Sequence, residues 1–181
     1  MKNANHPQPE ILSVSDAVRL RKYDGNYQIA VKWYQDPVVY YNSEGIVRQE
    51  DIPDEGYVKS MYDYLSEAGE CYFIEVLEDG RFIPVGDVTI KAENPPIVIG
   101  EARYRGRGLG KQVMAAVLKR AMELGIPKIY GSAVYDYNIS SQRLHEALGF
   151  RPVGKRENMI LYERCLQEDG QRFTEREEHH A

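Results

Sequence analysis

From Tyr104 to Lys111 the chain reads Tyr-Arg-Gly-Arg-Gly-Leu-Gly-Lys, with three glycines in five residues and cations on either side. Glycine lets a backbone come close to a ligand. The first turn of a helix offers unpaired N–H groups and a positive dipole end, which together favour an anion. Gly106, Gly108 and Gly110, with the amide of Leu109 between them and the charges of Arg105, Arg107 and Lys111 around them, therefore read as a phosphate cradle. Tight packing of a helix on a sheet is the other reason for glycines at such a turn. Two better-known loops fail on spacing. A Walker A loop needs four residues between its first glycine and its Gly-Lys pair, then Ser or Thr; here three separate Gly106 from Gly110, and Gln112 follows Lys111. A dinucleotide fingerprint begun at Gly106 would end on position 111, which is lysine. What remains is Arg-x-x-Gly-x-Gly on Arg105, Gly108 and Gly110.

That motif resembles the cofactor loop of the GNAT superfamily of N-acetyltransferases. The string Asn138-Ile139-Ser140-Ser141 leading to Leu148-Gly149-Phe150 resembles the family's second helix motif, and Gly86-Asp87-Val88-Thr89 resembles a strand entry of the ribosomal-protein N-terminal acetyltransferase branch. The similarity covers about residues 14–166. It implies acetyl-CoA as co-substrate, its pyrophosphate on the glycine loop and its pantetheine arm along Ile99 and Gly100, with Asn138 as a further partner of that arm.

The elements that must position these groups follow from patterning. Val14–Tyr23 alternates as a first strand, and residues 25–41 support a helix that Pro37 ends or kinks. Residues 52–68 read as a second helix. Cys71–Leu77 and Phe82–Lys91 flank Glu78-Asp79-Gly80 as a hairpin, and Ile97–Glu101 is a short strand before the loop. Leu109, Val113, Ala116, Val117, Ala121 and Leu124 recur at helical spacing up to Gly125 and Pro127. A strand at 129–135, a helix capped by Asn138 and ending at Gly149, and strands at 150–153 and 159–166 complete the chain. The expected fold is α/β, a mixed and mainly antiparallel sheet with helices on both faces, in a single domain over 1–181 with its core at about 14–166 and flexible tails.

Acetyl transfer from a thioester to an amine needs a neutral nucleophile, a donor for the oxyanion and a proton for the departing thiolate. By resemblance, backbone N–H groups near Ile99 and Gly100 serve the oxyanion. Many relatives carry a tyrosine seven residues after the asparagine; here that position is His145. The donors to the thiolate are then Ser141, matched to a serine of the N-terminal acetyltransferase branch, or His145, with Tyr135 and Tyr137 as fallbacks. A lone histidine on a helix is more commonly a packing residue. Glu75, Asp87 and Glu101 lie on strands near the presumed cleft, and spacing selects none of them as base. The family layout puts the acceptor pocket in the segment with Trp33, Asp36 and Tyr40 and in the following helix with Tyr57, Tyr62 and Tyr64.

The net charge of −5 argues against a nucleic-acid surface. No apolar run approaches the roughly 18 residues of a membrane span and no leader-like segment opens the chain, so a cytoplasmic protein is expected. The two cysteines, Cys71 and Cys165, read as free thiols. His179 and His180 read as solvated side chains, and no metal is assigned. The expected partners are acetyl-CoA and an amine acceptor, either a peptide N-terminus or a small molecule, with a homodimer left open. The alternative is a coenzyme A-binding sensor or scaffold without turnover.

Overall fold

The computed structural model describes residues 6–167, and its contacts divide the chain into two compact units. The first comprises Met1–Ile90 with Pro96–Met114, the second Lys91–Pro95 with Ala115–Ala181. The tail with His179 and His180 lies outside the described residues.

In the first unit five strands form one antiparallel sheet in sequence order: β1 (Ile11–Ser15), β2 (Val18–Lys22), β3 (Glu70–Glu78), β4 (Arg81–Ile90) and β5 (Ile97–Ile99). The expected first strand is thus a hairpin, and the register shifts between Ser13 and Ser15 at its turn. Asp79 and Gly80 both have positive φ, 48° and 76°, which is the geometry of a tight two-residue turn between β3 and β4. The expected helix over 25–41 is two helices, α1 (Gln28–Tyr34) and α2 (Pro37–Glu44). Pro37 takes the first position of α2, where its missing N–H costs nothing, and Asp36 caps that helix by accepting from the amides of Val38 and Val39. α3 (Glu55–Ala68) starts on Asp54, whose carboxylate accepts from Tyr57 N–H at 2.7 Å. Ala30, Trp33 and Tyr34 from α1 and Val58, Tyr62 and Leu65 from α3 pack with Cys71, Phe73 and Val98 of the sheet as one core.

In the second unit β6 (Lys128–Tyr135), β8 (Met159–Cys165) and β7 (Arg151–Arg156) form an antiparallel sheet in the order β6-β8-β7. α5 (Ile139–Ala147) follows β6, and α4 (Leu109–Glu123) runs from the first unit into the second. The fold class is as expected, α/β with mainly antiparallel pairing. The strands, however, make two sheets, and the parallel component is an isolated bridge from Glu93 to Tyr130. Cys71 is buried and Cys165 exposed, both as free thiols. Among the described residues no helix is long and apolar enough to cross a membrane.

Candidate functional site

β5 is the last strand of its sheet, so among the described residues one of its edges has no strand paired to it. Thr89 N–H donates to Pro96 O across the ladder to β4, which makes Pro96 and, by alternation, Val98 the inward-bonding residues. Ile97 and Ile99 therefore turn their N–H and C=O groups off the sheet. Two close approaches hold this edge. A Cβ on Gly86 would lie 2.1 Å from Val98 O, and one on Gly100 would lie 2.1 Å from the Trp33 ring. Gly86 lets the strands close, and Gly100 lets the indole lie flat on the chain just beyond β5.

The glycine loop comes after a short 3₁₀ turn at Ala102–Tyr104. Gly106 and Gly108 have φ of 69° and 81°, and a Cβ on either would meet nothing within 4 Å. Packing therefore does not account for these glycines; a left-handed backbone in open surroundings does. Among the described residues no acceptor is found for the amides of Gly106 through Lys111, and the first paired amide is Gln112 N–H to Gly108 O at 3.2 Å. Arg107 and Lys111 are exposed and form no ion pair among the described residues. Leu109 is 6% exposed, so its side chain anchors the start of α4 and only its amide is available to a ligand. The loop is thus six open donors flanked by two uncommitted cations, as an anion site requires.

Arg105 is committed elsewhere. Its Nε donates to Ile99 O at 2.8 Å, its Nη2 to Gly100 O, and its Nη1 to Asp36 Oδ1 at 3.2 Å. The side chain is a strut joining the loop, the end of β5 and the cap of α2. Partial burial alone would raise the Asp36 carboxyl, but Arg105 and the amides of Val38 and Val39 outweigh it and hold the group low. Asp36 is therefore an ionised cap. Trp33, 2% exposed, is a core residue packed edge-on against Phe73 and donating Nε1–H to Glu101 at 2.9 Å. Tyr40 is half-buried, and among the described residues its hydroxyl has no partner. Of the residues expected to contact an acceptor, it alone presents an uncommitted polar group.

The three strand carboxylates now separate. Glu101 is held low by its bonds to Lys32 and Trp33. Glu75 is clasped by Arg19 and Arg21 at 2.7 and 2.6 Å. Asp87 is 2% exposed and faces no cation, and its partners are the hydroxyls of Tyr62 at 2.7 Å and Tyr34 at 3.0 Å. Burial drives its carboxyl up, the two phenols pull it part of the way back, and it settles at about 6. The sequence offered Asp87 as a strand carboxylate and Tyr62 as a pocket residue but not their meeting, since Tyr34 and Tyr62 come from helices 53 and 25 residues away in the chain.

In the second unit Asn138 caps α5 as expected, its Oδ1 accepting from Ser141 N–H at 3.1 Å. Ser141 is half-buried. His145 is buried between Phe150 and Tyr162, with its Nδ1 2.8 Å from Ser141 O, so that nitrogen carries the proton. Burial lowers the imidazole below its ordinary value, and the bond to Ser141 offsets only part of this. A neutral ring whose one N–H is already given to the backbone is a poor acid. Ser141 Oγ lies 3.5 Å from the same nitrogen. Tyr135 and Tyr137 stack on each other with ring centres 5.1 Å apart.

The profile of the acetyltransferase (GNAT) family matches residues 30–150, well over half of the chain. An N-acetylaspartate synthetase of Xenopus tropicalis is 29% identical over 107 residues, 54% of this chain and 37% of that protein. The chain thus spans little more than a third of that relative's length. Among solved structures, a domain from Methanocaldococcus jannaschii superposes with a TM-score of 0.70 at 24% identity, over 82% of this chain and 97% of that one. The ribosomal L7/L12 α-N-protein acetyltransferase RimL, in complex with coenzyme A, gives a TM-score of 0.66 at 13% identity over 86% and 98%. These likenesses share the fold, while the profile spans the Trp33–Asp36 turn, the glycine loop and the Asn138 cap together; on that match the chain belongs to the acetyltransferase (GNAT) family.

Proposed function

We propose that this protein is an N-acetyltransferase that moves the acetyl group of acetyl-CoA to a primary amine, by direct attack of the amine on the thioester in a ternary complex. The observation that carries this reading is the row of amides from Gly106 to Lys111 that have no acceptor among the described residues, with Arg107 and Lys111, which form no ion pair among those residues, beside it. A diphosphate supplies the acceptors such a row lacks. The outward N–H of Ile99 lies on the same unit and is the donor proposed for the pantetheine arm or the developing oxyanion. Arg105 acts from behind, fixing both the loop and the strand end, and Ser141 is the proposed proton donor to the thiolate. The acceptor is a peptide N-terminus or a small-molecule amine, with Tyr40 as its proposed polar contact.

The test is calorimetric titration with coenzyme A, together with a thiol-release assay across peptides and small amines. Gly108→Asp serves as the control, since aspartate tolerates the left-handed backbone and puts a carboxylate into the anion site. The variant should lose about 1 kcal/mol of stability to the left-handed backbone, remain folded, and lose about tenfold or more in coenzyme A affinity. Unchanged affinity would overturn the site. His145, buried and neutral where many relatives carry tyrosine, supports a second reading, a coenzyme A sensor. Tight binding without turnover on any amine would select it.

A further inference from the structure

Asp87 is a carboxylate in the core of the first unit with no countercharge, which is an expensive arrangement unless it is used. Its surroundings are built. Tyr34 at the end of α1 and Tyr62 on α3 both donate to it, Tyr62 is stacked on Tyr23 at 4.7 Å, and Cys71 on the neighbouring strand is the other ionisable group beside it. Glu44 and Cys71 bear on Tyr34, and Asp63 on Tyr23. None of these groups is a cation at neutral pH.

The cluster lies one strand in from the edge that would steer the thioester. Asp87 pairs with Val98, and Gly86 with Ile99. Alternation puts Asp87, Val98 and Gly100 on one face of the sheet, the face against which Trp33 lies, and Tyr34 is the next residue along α1. Beyond Tyr34 the chain turns through Gln35 and Asp36 to Tyr40.

We propose that Asp87 is the proton-holding residue of the transfer, receiving the proton of the acceptor ammonium through the hydroxyl of Tyr34 while Tyr62 fixes the carboxylate. This rests on the acetyltransferase reading above. In the step, an ammonium N–H bond breaks and the proton joins the Tyr34 oxygen as the phenol's own proton passes to Asp87. The freed lone pair forms the N–C bond, the C–S bond breaks, and the thiolate takes the proton of Ser141, which is made good by the second proton of the nitrogen. Asp87 then returns its proton to solvent. Asp87 acts through Tyr34 and touches no reacting atom, so it is a positioning and proton-holding group rather than a catalytic one.

The test is the pH dependence of kcat/KM with a peptide acceptor whose α-amine titrates near 8. An enzyme that removes the proton itself works on the abundant ammonium. Its profile should be level from about pH 6.5 to 8 and fall below the Asp87 ionisation near 6. Asp87→Asn and Tyr34→Phe must wait for free amine. Both should rise about tenfold per pH unit through that window, run about 30-fold below the wild type at pH 6.5, and converge with it above 8. Tyr62→Phe, which removes a donor to the carboxylate, should move the acid edge of the profile upward. A structural role alone lowers activity equally at every pH. Profiles of Asp87→Asn and Tyr34→Phe parallel to the wild type overturn the relay while leaving the acetyltransferase reading intact; coenzyme A binding without turnover on any amine overturns both. If Asp87→Asn does not fold, Tyr34→Phe, which leaves the carboxylate and its Tyr62 bond in place, decides the matter.

Discussion

At position 145 the ring is wedged between Phe150 and Tyr162, and its shorter polar contact is to the backbone of the residue a turn earlier. Burial keeps it neutral when folded, whereas in the unfolded chain it titrates near 6.5. The folded state therefore loses stability as pH falls through that value, because only the unfolded chain takes the proton readily. His145→Phe should preserve the packing, hold turnover within about threefold, and lose less melting temperature than the wild type between pH 7 and 5. Ser141→Ala should lower kcat on the order of 100-fold with coenzyme A affinity unchanged, as loss of a proton donor does. The two variants, compared by thiol release and thermal melts, separate donor from packing residue. The sequence offered both as candidates. What it could not show is that the histidine's N–H is already given away, since that depends on a bond of 2.8 Å rather than on residue type.

At the scale of elements, a strand end, a helix and a loop are tied together around Gly100 and Arg105. Gly100→Ala would drive a methyl into a buried indole, a clash neither backbone nor ring can relieve cheaply, and should cost about 1–3 kcal/mol in chemical denaturation. Trp33→Leu in the same background should recover part of that loss by making room. Arg105→Lys keeps the charge but cannot serve Ile99 O, Gly100 O and Asp36 at once. It should lower stability by about 1–2 kcal/mol and weaken coenzyme A binding measured by calorimetry, with the loop no longer held to the strand. Much of this layer was legible in the chain: the β3–β4 turn from Asp79-Gly80, the α4 stripe, the Asn138 cap and the break at Pro37. The β1–β2 hairpin was not, because its turn at Asp16-Ala17 carries no glycine or proline to mark it. Arg105 was read as a phosphate ligand because its charge is visible in sequence, whereas the carbonyls that claim it lie on another element.

Across the whole molecule the ionisation of Asp87 opposes that of His145. Its carboxyl is at about 6 when folded and near 3.8 in the unfolded chain, so the folded state binds the proton more tightly. Stability present at low pH is then lost as pH rises from about 3.8 through 6, on the order of 3 kcal/mol for the full shift. Asp87→Asn never ionises, and with its one oxygen in the place of Oδ2 it still accepts from both tyrosines; it should be more stable than the wild type at pH 7, with the advantage shrinking as pH falls and gone below about pH 3.8, in urea titrations at each pH. Division into two sheets was beyond sequence reading for a related reason. Strand propensity marks each segment but says nothing of which edge it leaves open, and the edge of β5 is where the chain meets its donor in the function proposed here. A final consequence concerns the loop from Gly106 to Lys111. A grip built from main-chain amides measures only the diphosphate and is blind to the acyl chain at the far end of the same molecule. Acetyl, propionyl and longer thioesters should therefore dock there with similar strength, leaving selection among donors to be expressed in turnover rather than in affinity.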